Sequence, residues 1–285
     1  MIKTTKLIIV FLITLFIISC ENGENIEIVP KNGISQEIKN LIYFNGDENA
    51  SVVLVNTQGG PQIALATTEF DEILENVNTS NILRVNVHQK QTLSPSLFTS
   101  NDISFNDAIG YDTETVETLY KVVKYFKDQH KTVYVLGISY GAFVTQQLIA
   151  TKGIDVADKY LIMVGRLDMN EAYWTRFSQG KGGAFTNGDL PIIPSEQPDV
   201  TIRNMYRLAA GIAKNRFTQI LNSIPSLSKV TYVYGKTDNQ VGKLTDSEIQ
   251  FLQSKNATVI SGNGGHSNTI DNKIVEGFRI AFGIE

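Results

Sequence analysis

Cysteine, histidine and tryptophan are rare in this sequence of 285 residues, which contains one, three and one of them, respectively. A single cysteine cannot form an internal disulfide or a cysteine-rich zinc site. Positive charge is also scarce, because 25 lysines and arginines face 29 aspartates and glutamates, and the formal charge is −4. This balance argues against nucleic acid as a partner, since binding to phosphates requires a basic surface.

The one cysteine, Cys20, follows a segment typical of a secretory signal. Residues 1–6 carry two lysines, residues 7–18 are apolar with one exception, and a small residue precedes Cys20. The apolar stretch is shorter than the roughly 20 residues that a membrane-spanning helix needs. The segment resembles a bacterial lipoprotein signal, which is cleaved before a cysteine that carries lipid such as palmitate. The alternative is a plain signal peptide or an uncleaved anchor with an incidental cysteine.

The lipoprotein interpretation predicts a protein anchored to a membrane of the bacterial cell envelope, on its periplasmic or outer face. Cleavage would remove two lysines and no acidic residue, so the formal charge would fall from −4 to −6. Residues 20–36 are predicted to be a tether and a first strand region, with a short edge strand at 26–29. Residues 37–285 are predicted to form one domain.

Within residues 37–285, continuous apolar segments alternate with segments of helical periodicity. Such alternation predicts an α/β fold with a mostly parallel central sheet flanked by helices. Residues 168–225 interrupt the pattern, because they contain no clear strand and hold several glycines and prolines. This interval is predicted to be a helical or irregular cap insertion, since insertions of this size are usually functional.

The motif Gly137-Ile138-Ser139-Tyr140-Gly141 follows the predicted strand 132–136 and precedes a predicted helix. A serine on a strained strand-to-helix turn exposes its hydroxyl, and flanking glycines let neighbouring backbone approach closely. The alternative is an ordinary glycine-bounded turn. From about Leu41 to the C-terminus, the motif and its setting resemble the α/β-hydrolase family, which implies that Ser139 is a nucleophile.

In that family an acid and then a histidine follow the nucleophile, each on a loop after a strand. The resemblance implies that Asp238 is the acid and His266 the histidine. His266 would take the proton of the serine hydroxyl and return it to the leaving group, while Asp238 would orient the imidazole. Asp168 is an alternative acid, because it follows the predicted strand 160–164. His88 and His130 are the other histidines; His130 is expected at a helix end, and His88 closes a predicted strand before the serine.

Two backbone N–H groups are expected to form an oxyanion hole. The residue after the nucleophile, Tyr140, supplies one in the family. The segment Gln58-Gly59-Gly60-Pro61 resembles the family's His-Gly-Gly-Pro loop, with Gln58 where histidine is usual. By that match Gly60 supplies the second donor, because Pro61 has no N–H. The alternative is an ordinary Gly-Pro turn.

Aromatic side chains are concentrated in the predicted cap, where Tyr173, Trp174 and Phe177 lie close together in sequence. They are candidates for binding an apolar substrate group, although packing of the insertion onto the core explains them equally well. The sequence therefore predicts a lipid-anchored serine hydrolase that acts on a small-molecule carboxylic ester, with no cofactor or metal. A serine peptidase or amidase of the same fold and a non-catalytic binding lipoprotein are the alternatives.

Overall fold

A computed structural model describes residues 33–192 and 196–285. Its strands are β1 (Ile42–Asn45), β2 (Val52–Thr57), β3 (Ile82–Val87), β4 (Thr132–Ile138), β5 (Lys159–Met163), β6 (Ala184–Thr186), β7 (Leu190–Ile192), β8 (Val230–Gly235) and β9 (Thr258–Gly262). Seven of them form one sheet in the order β1-β3-β2-β4-β5-β8-β9. All neighbours in this sheet are parallel except β1 and β3. The prediction of a mostly parallel sheet flanked by helices is confirmed.

The helices are α1 (Gln36–Lys39), α2 (Thr67–Ile73), α3 (Lys90–Leu93), α4 (Ser96–Thr99), α5 (Phe105–Asp128), α6 (Tyr140–Lys152), α7 (Glu171–Ser178), α8 (Val200–Ala213), α9 (Phe217–Ile220), α10 (Asp246–Ser254) and α11 (His266–Phe282). Helix α5 begins at Phe105, where Ser104 and Asp107 form a reciprocal capping box at its N-terminus. Helix α11 begins at His266, whereas the sequence predicts a loop at this residue.

Both faces of the sheet are buried, which explains why its strands are apolar without alternation. Val53 and Val55 of β2 pack on the face covered by α5 and α6. Leu54, between them, faces the opposite way and packs with residues of α2 and α11. Successive side chains of a strand point to opposite faces, so one apolar run serves two cores.

The insertion between β5 and β8 contains α7, α8, α9 and a hairpin of β6 and β7. The expectation that this interval holds no strand was wrong. Each of the two strands has only three residues, which is too short for a periodic pattern to reveal. Helix α8 is joined to the main domain by Asn204, which accepts a hydrogen bond from the N–H of Ile103 and donates to the carbonyls of Phe98 and Asn101.

Cys20 and the predicted edge strand at 26–29 lie outside the described residues. Across residues 33–192 and 196–285, no helix combines the length and the apolar character that crossing a bilayer requires.

Candidate active site

Ser139 lies at the carboxyl end of β4, directly before α6, in a backbone conformation that a non-glycine residue rarely adopts. Its φ is 55° and its ψ is −116°. The N–H of Ser139 donates to the carbonyl of Met163 at 2.9 Å, which ties the turn to the end of β5. Strain of this kind persists only where the surroundings hold it, and it is common at functional sites. The strand–serine–helix geometry expected for the motif is present.

The two glycines that flank Ser139 allow this turn to pack against its neighbours. A Cβ on Gly141 would lie 1.9 Å from the carbonyl oxygen of Thr57 at the end of β2. A Cβ on Gly137 would lie 2.2 Å from Oγ1 of Thr145. A side chain at Gly141 would therefore push the turn away from the end of β2, and one at Gly137 would push α6 away from the end of β4.

Asp238 lies on the loop that follows β8, and His266 is the first residue of α11, directly after the loop that follows β9; their side chains meet. Nδ1 of His266 lies 2.7 Å from Oδ2 of Asp238, and both side chains are buried. The other carboxylate oxygen, Oδ1, accepts the N–H groups of Gln240 at 2.8 Å and Val241 at 3.0 Å. Because a carboxylate only accepts, the contact assigns the proton to Nδ1 of His266 and leaves Nε2 as the acceptor.

Backbone contacts hold the two loops together. The N–H of Lys236 donates to the carbonyl of Gly262 at 2.9 Å, and the N–H of Thr237 donates to that of Gly264 at 3.3 Å. A Cβ on Gly235 would lie 2.8 Å from the carbonyl of Gly264, so the close approach of the loops depends on glycine. The geometry of the Asp238–His266 pair is thus set by the edge of the sheet.

The carboxylate of Asp168, the alternative acid, contacts Arg216 and Thr218 and not His266. Its carboxylate binds Nη2 of Arg216 at 3.1 Å and accepts the hydroxyl of Thr218 at 2.6 Å. These contacts join the two ends of the insertion, so they give Asp168 a structural role. Of the other histidines, His130 is exposed in a turn after α5. His88 contacts Oγ1 of Thr92, and burial lowers the pKa of its imidazole.

Gln58 holds the loop after β2, at the position where the resemblance leads one to expect histidine. Its side-chain amide donates to the carbonyl of Ala64 at 3.1 Å and accepts the N–H of Ala66 at 2.7 Å. The side chain of Gln89 donates in turn to the carbonyl of Gln58 at 3.0 Å. A glutamine can therefore fix this loop because its amide offers both a donor and an acceptor. A Cβ on Gly59 would lie 3.3 Å from Cβ of Ser139, so the loop approaches the serine closely.

A cavity of about 280 Å³ opens beside Ser139. Gly60 and Tyr140, the two predicted oxyanion donors, line it together with Ser139. Its remaining walls are mainly apolar and come from the loop after β2, α6, the insertion and the loop after β8: Pro61, Phe143, Met169, Tyr173, Trp174, Phe177, Gly183, Met205, Tyr206, Ala209, Ala213, Gln240 and Val241. None of these lining residues carries a charged side chain.

The cap aromatics pack the insertion and also line the cavity, so packing explains them and substrate binding stays a prediction. Tyr173 packs between Phe177 and Phe185, at ring-centroid distances of 4.5 and 4.6 Å. The hydroxyl of Tyr173 donates to the carbonyl of Gln240 at 2.6 Å, and burial raises the pKa of its phenol. Trp174 stacks on Phe105 of α5 with centroids 6.3 Å apart.

Ser139 and His266 border different hollows. His266 lines a polar depression of about 580 Å³ outside the acid loop, and Gln240 lines both this depression and the cavity. Among the hydrogen bonds of the described residues, none joins the hydroxyl of Ser139 to His266. Catalytic hydrogen bonds are often long in a free enzyme and tighten when substrate binds. No cluster of three or more potential metal ligands occurs within the part of the chain that the structure describes.

No protein-family model matches the sequence, and a search of curated proteins finds no relative. Solved structures do match. The alpha/beta hydrolase enzyme MGS-M2 from a Medee basin deep-sea metagenome library is 15% identical, with a TM-score of 0.52 over 85% of this chain and 93% of that one. The chain has the α/β-hydrolase fold.

Two further structures with this fold show similar agreement. The esterase EaEST from Exiguobacterium antarcticum is 11% identical, with a TM-score of 0.52 over 84% of this chain and 92% of the esterase. A bromoperoxidase from Bacillus anthracis is 15% identical, with a TM-score of 0.51 over 85% of this chain and 94% of that one. One fold thus serves different activities, so function has to be argued from the site.

Proposed function

We propose that this protein is a serine hydrolase that cleaves small carboxylic esters through an acyl-enzyme intermediate. The observation that carries the proposal is the buried Asp238–His266 contact of 2.7 Å, between residues that follow two strands of the sheet that also holds the Ser139 turn. A binding protein has no need of both a strained serine turn and a histidine oriented by a buried carboxylate. Each element has a known task in acyl transfer.

In the proposed reaction, Oγ of Ser139 attacks the carbonyl carbon of the ester while Nε2 of His266 takes the hydroxyl proton. The oxyanion accepts hydrogen bonds from the N–H groups of Gly60 and Tyr140. The bond to the alcohol oxygen breaks as His266 returns its proton to that oxygen. Water then attacks the acyl-enzyme, His266 takes a proton from the water, and release of the acid restores the serine hydroxyl.

The cavity favours an ester of an uncharged, compact acyl group over a peptide with a free amino terminus. Its walls are apolar and uncharged, and its volume of about 280 Å³ suits a small group. An ammonium group buried there without an anionic partner would be costly. A peptidase or amidase therefore remains the second candidate, on the same catalytic residues.

The decisive test uses an active-site fluorophosphonate probe on the purified protein. The wild type should be labelled and the Ser139→Ala variant should not; an unlabelled wild type would contradict the hydrolase proposal and favour a binding protein. Comparison of p-nitrophenyl acyl esters with aminoacyl and peptidyl anilides then separates esterase from peptidase. Faster turnover of the anilides would overturn the preference for esters.

We also propose a lipid anchor at Cys20, from the sequence that precedes it. Cells that express the wild type should incorporate a radiolabelled fatty acid into the protein, and the protein should partition with membranes. The Cys20→Ser variant should lose both properties. Equal partitioning of the two proteins, with no label on either, would contradict the anchor and leave the hydrolase proposal unaffected.

A further inference from the structure

A buried carboxyl group lies behind the serine turn and takes no part in the proposed mechanism. Asp112 of α5 is 4% exposed, and its Oδ1 accepts the hydroxyl of Tyr140 at 2.5 Å. Its other oxygen, Oδ2, is buried and has no hydrogen-bond partner among the described residues. Burying a carboxyl group in this way is unfavourable unless something is gained from it.

Helix α8 of the cap closes over the unpartnered oxygen. A Cβ on Gly211 would lie 2.2 Å from Oδ2 of Asp112, so only glycine lets the helix approach this closely. Two residues of the same helix, Ala209 and Ala213, line the cavity beside Ser139. Asp112 therefore lies where three elements meet: α5, the start of α6 at Tyr140, and the cavity wall.

Burial holds the pKa of the Asp112 carboxyl well above its usual range. The charged or titratable groups that face it are Tyr140 from α6, Lys214 at the end of α8, and Glu117, which lines a cavity of about 190 Å³ that Asp112 also lines. Lys214 acts in the opposite direction but more weakly than burial. Glu117 forms an ion pair with Lys152 at 2.6 Å.

We propose that Asp112 is a positioning residue for the oxyanion hole. By anchoring the hydroxyl of Tyr140, it fixes the peptide between Ser139 and Tyr140, whose N–H group is the proposed oxyanion donor. By packing against Gly211, it also fixes the position of α8, which forms part of the cavity wall. This inference rests on the proposed function, because it assigns a role within the same site.

The test separates positioning from stability by comparing single and double variants. Tyr140→Phe and Asp112→Leu each leave a buried polar group unpaired, and each should lower the Tm. The double variant Tyr140→Phe/Asp112→Leu removes both polar groups and should regain most of the Tm. Its kcat on the best p-nitrophenyl ester should nevertheless stay about 10- to 100-fold below wild type, because the donor is no longer held in place. KM should change less than about 3-fold, since the anchor acts on the transition state.

Two further variants complete the experiment. Asp112→Asn keeps an acceptor for the hydroxyl of Tyr140 and should rescue kcat to within about 10-fold of wild type. Glu117→Gln makes the same carboxyl-to-amide change on the same helix and should leave kcat and KM unchanged. A kcat that recovers together with the Tm in the double variant would overturn the proposal, as would an Asp112→Asn variant no more active than Asp112→Leu. Fluorophosphonate labelling of the wild type, measured first, shows whether any failure belongs to this inference or to the proposed function.

Discussion

Substitution of Gly141 by alanine sets helix propensity against packing. Gly141 is the second residue of α6, and alanine in a helix is more favourable than glycine by roughly 0.5–1 kcal/mol. The new Cβ, however, would lie 1.9 Å from the carbonyl oxygen of Thr57, 2.7 Å from its carbonyl carbon and 2.8 Å from the carbonyl oxygen of Gln58. These are backbone atoms at the end of a strand paired on both sides, so they cannot rotate away.

The turn must therefore move instead of the strand. Ordinary contact begins at 3.4 Å, so the serine turn and the end of β2 must separate by about 1.5 Å. Overpacking of this kind usually costs about 1–3 kcal/mol. After the gain in helix propensity, we expect Gly141→Ala to lower the free energy of unfolding by up to about 2.5 kcal/mol. It should also slow fluorophosphonate labelling at least about 100-fold, because the two proposed oxyanion donors move apart.

Gly110→Ala is the matched control. Gly110 is an exposed residue of α5, and a Cβ there meets nothing within 4 Å. This variant should gain about 0.5–1 kcal/mol and label at the wild-type rate. Urea denaturation followed by circular dichroism gives both free energies, and probe labelling over time gives the rates. A Gly141→Ala variant that is as stable as Gly110→Ala and labels as fast would refute the steric reasoning.

Three further expectations follow from the same geometry. Asp238→Asn should lower kcat by roughly 10³- to 10⁴-fold in ester assays, because its amide would reverse the tautomer of His266, whereas Asp168→Asn should lower it less than about 10-fold. Ala209→Phe should reduce kcat/KM more for long acyl esters than for acetyl esters, since it fills the cavity; equal losses across the series would argue against acyl binding there. Two arginines of α8 lower the pKa of Asp102 to about 2, so stability should fall as the pH drops from about 4 towards 2. This loss should be at most about 1 kcal/mol, because Asp102 is half-exposed, and it should be absent from the acid denaturation of Asp102→Asn.

The sheet could be predicted from the sequence because its strands are buried on both faces. The segments around Val53, Val135 and Leu161 are continuous apolar runs, and they are found at central positions in the sheet. The hairpin of β6 and β7 could not be predicted in this way, since three residues do not define a period. The start of α11 at His266 was missed because the helix opens on polar residues after two glycines.

The candidate site could be predicted as far as local patterns reach. The serine turn, the acid and the histidine each follow a strand, and the contact between Asp238 and His266 agrees with that reading. The partners of Tyr140 could not be found, because Asp112 precedes it by 28 positions on an amphipathic helix and looks like an ordinary polar residue. A long-range contact of this kind has no local sequence signal.

One signal in the sequence was available and points to the loop after β2. Asn56 and Asn86 are the second-to-last residues of the apolar strands β2 and β3, and they lie side by side in the sheet. The side-chain amide of Asn56 donates to the side-chain oxygen of Asn86 at 2.8 Å, and the amide of Asn86 donates to the carbonyl of Ala66. The N–H of Ala66 donates in turn to the side-chain oxygen of Gln58. Buried amides are retained where their hydrogen bonds fix a backbone segment that apolar packing cannot fix. Here these neutral amides, together with Gln58, hold the loop that carries Gly60, which explains why polar residues interrupt the apolar strands at this end of the sheet.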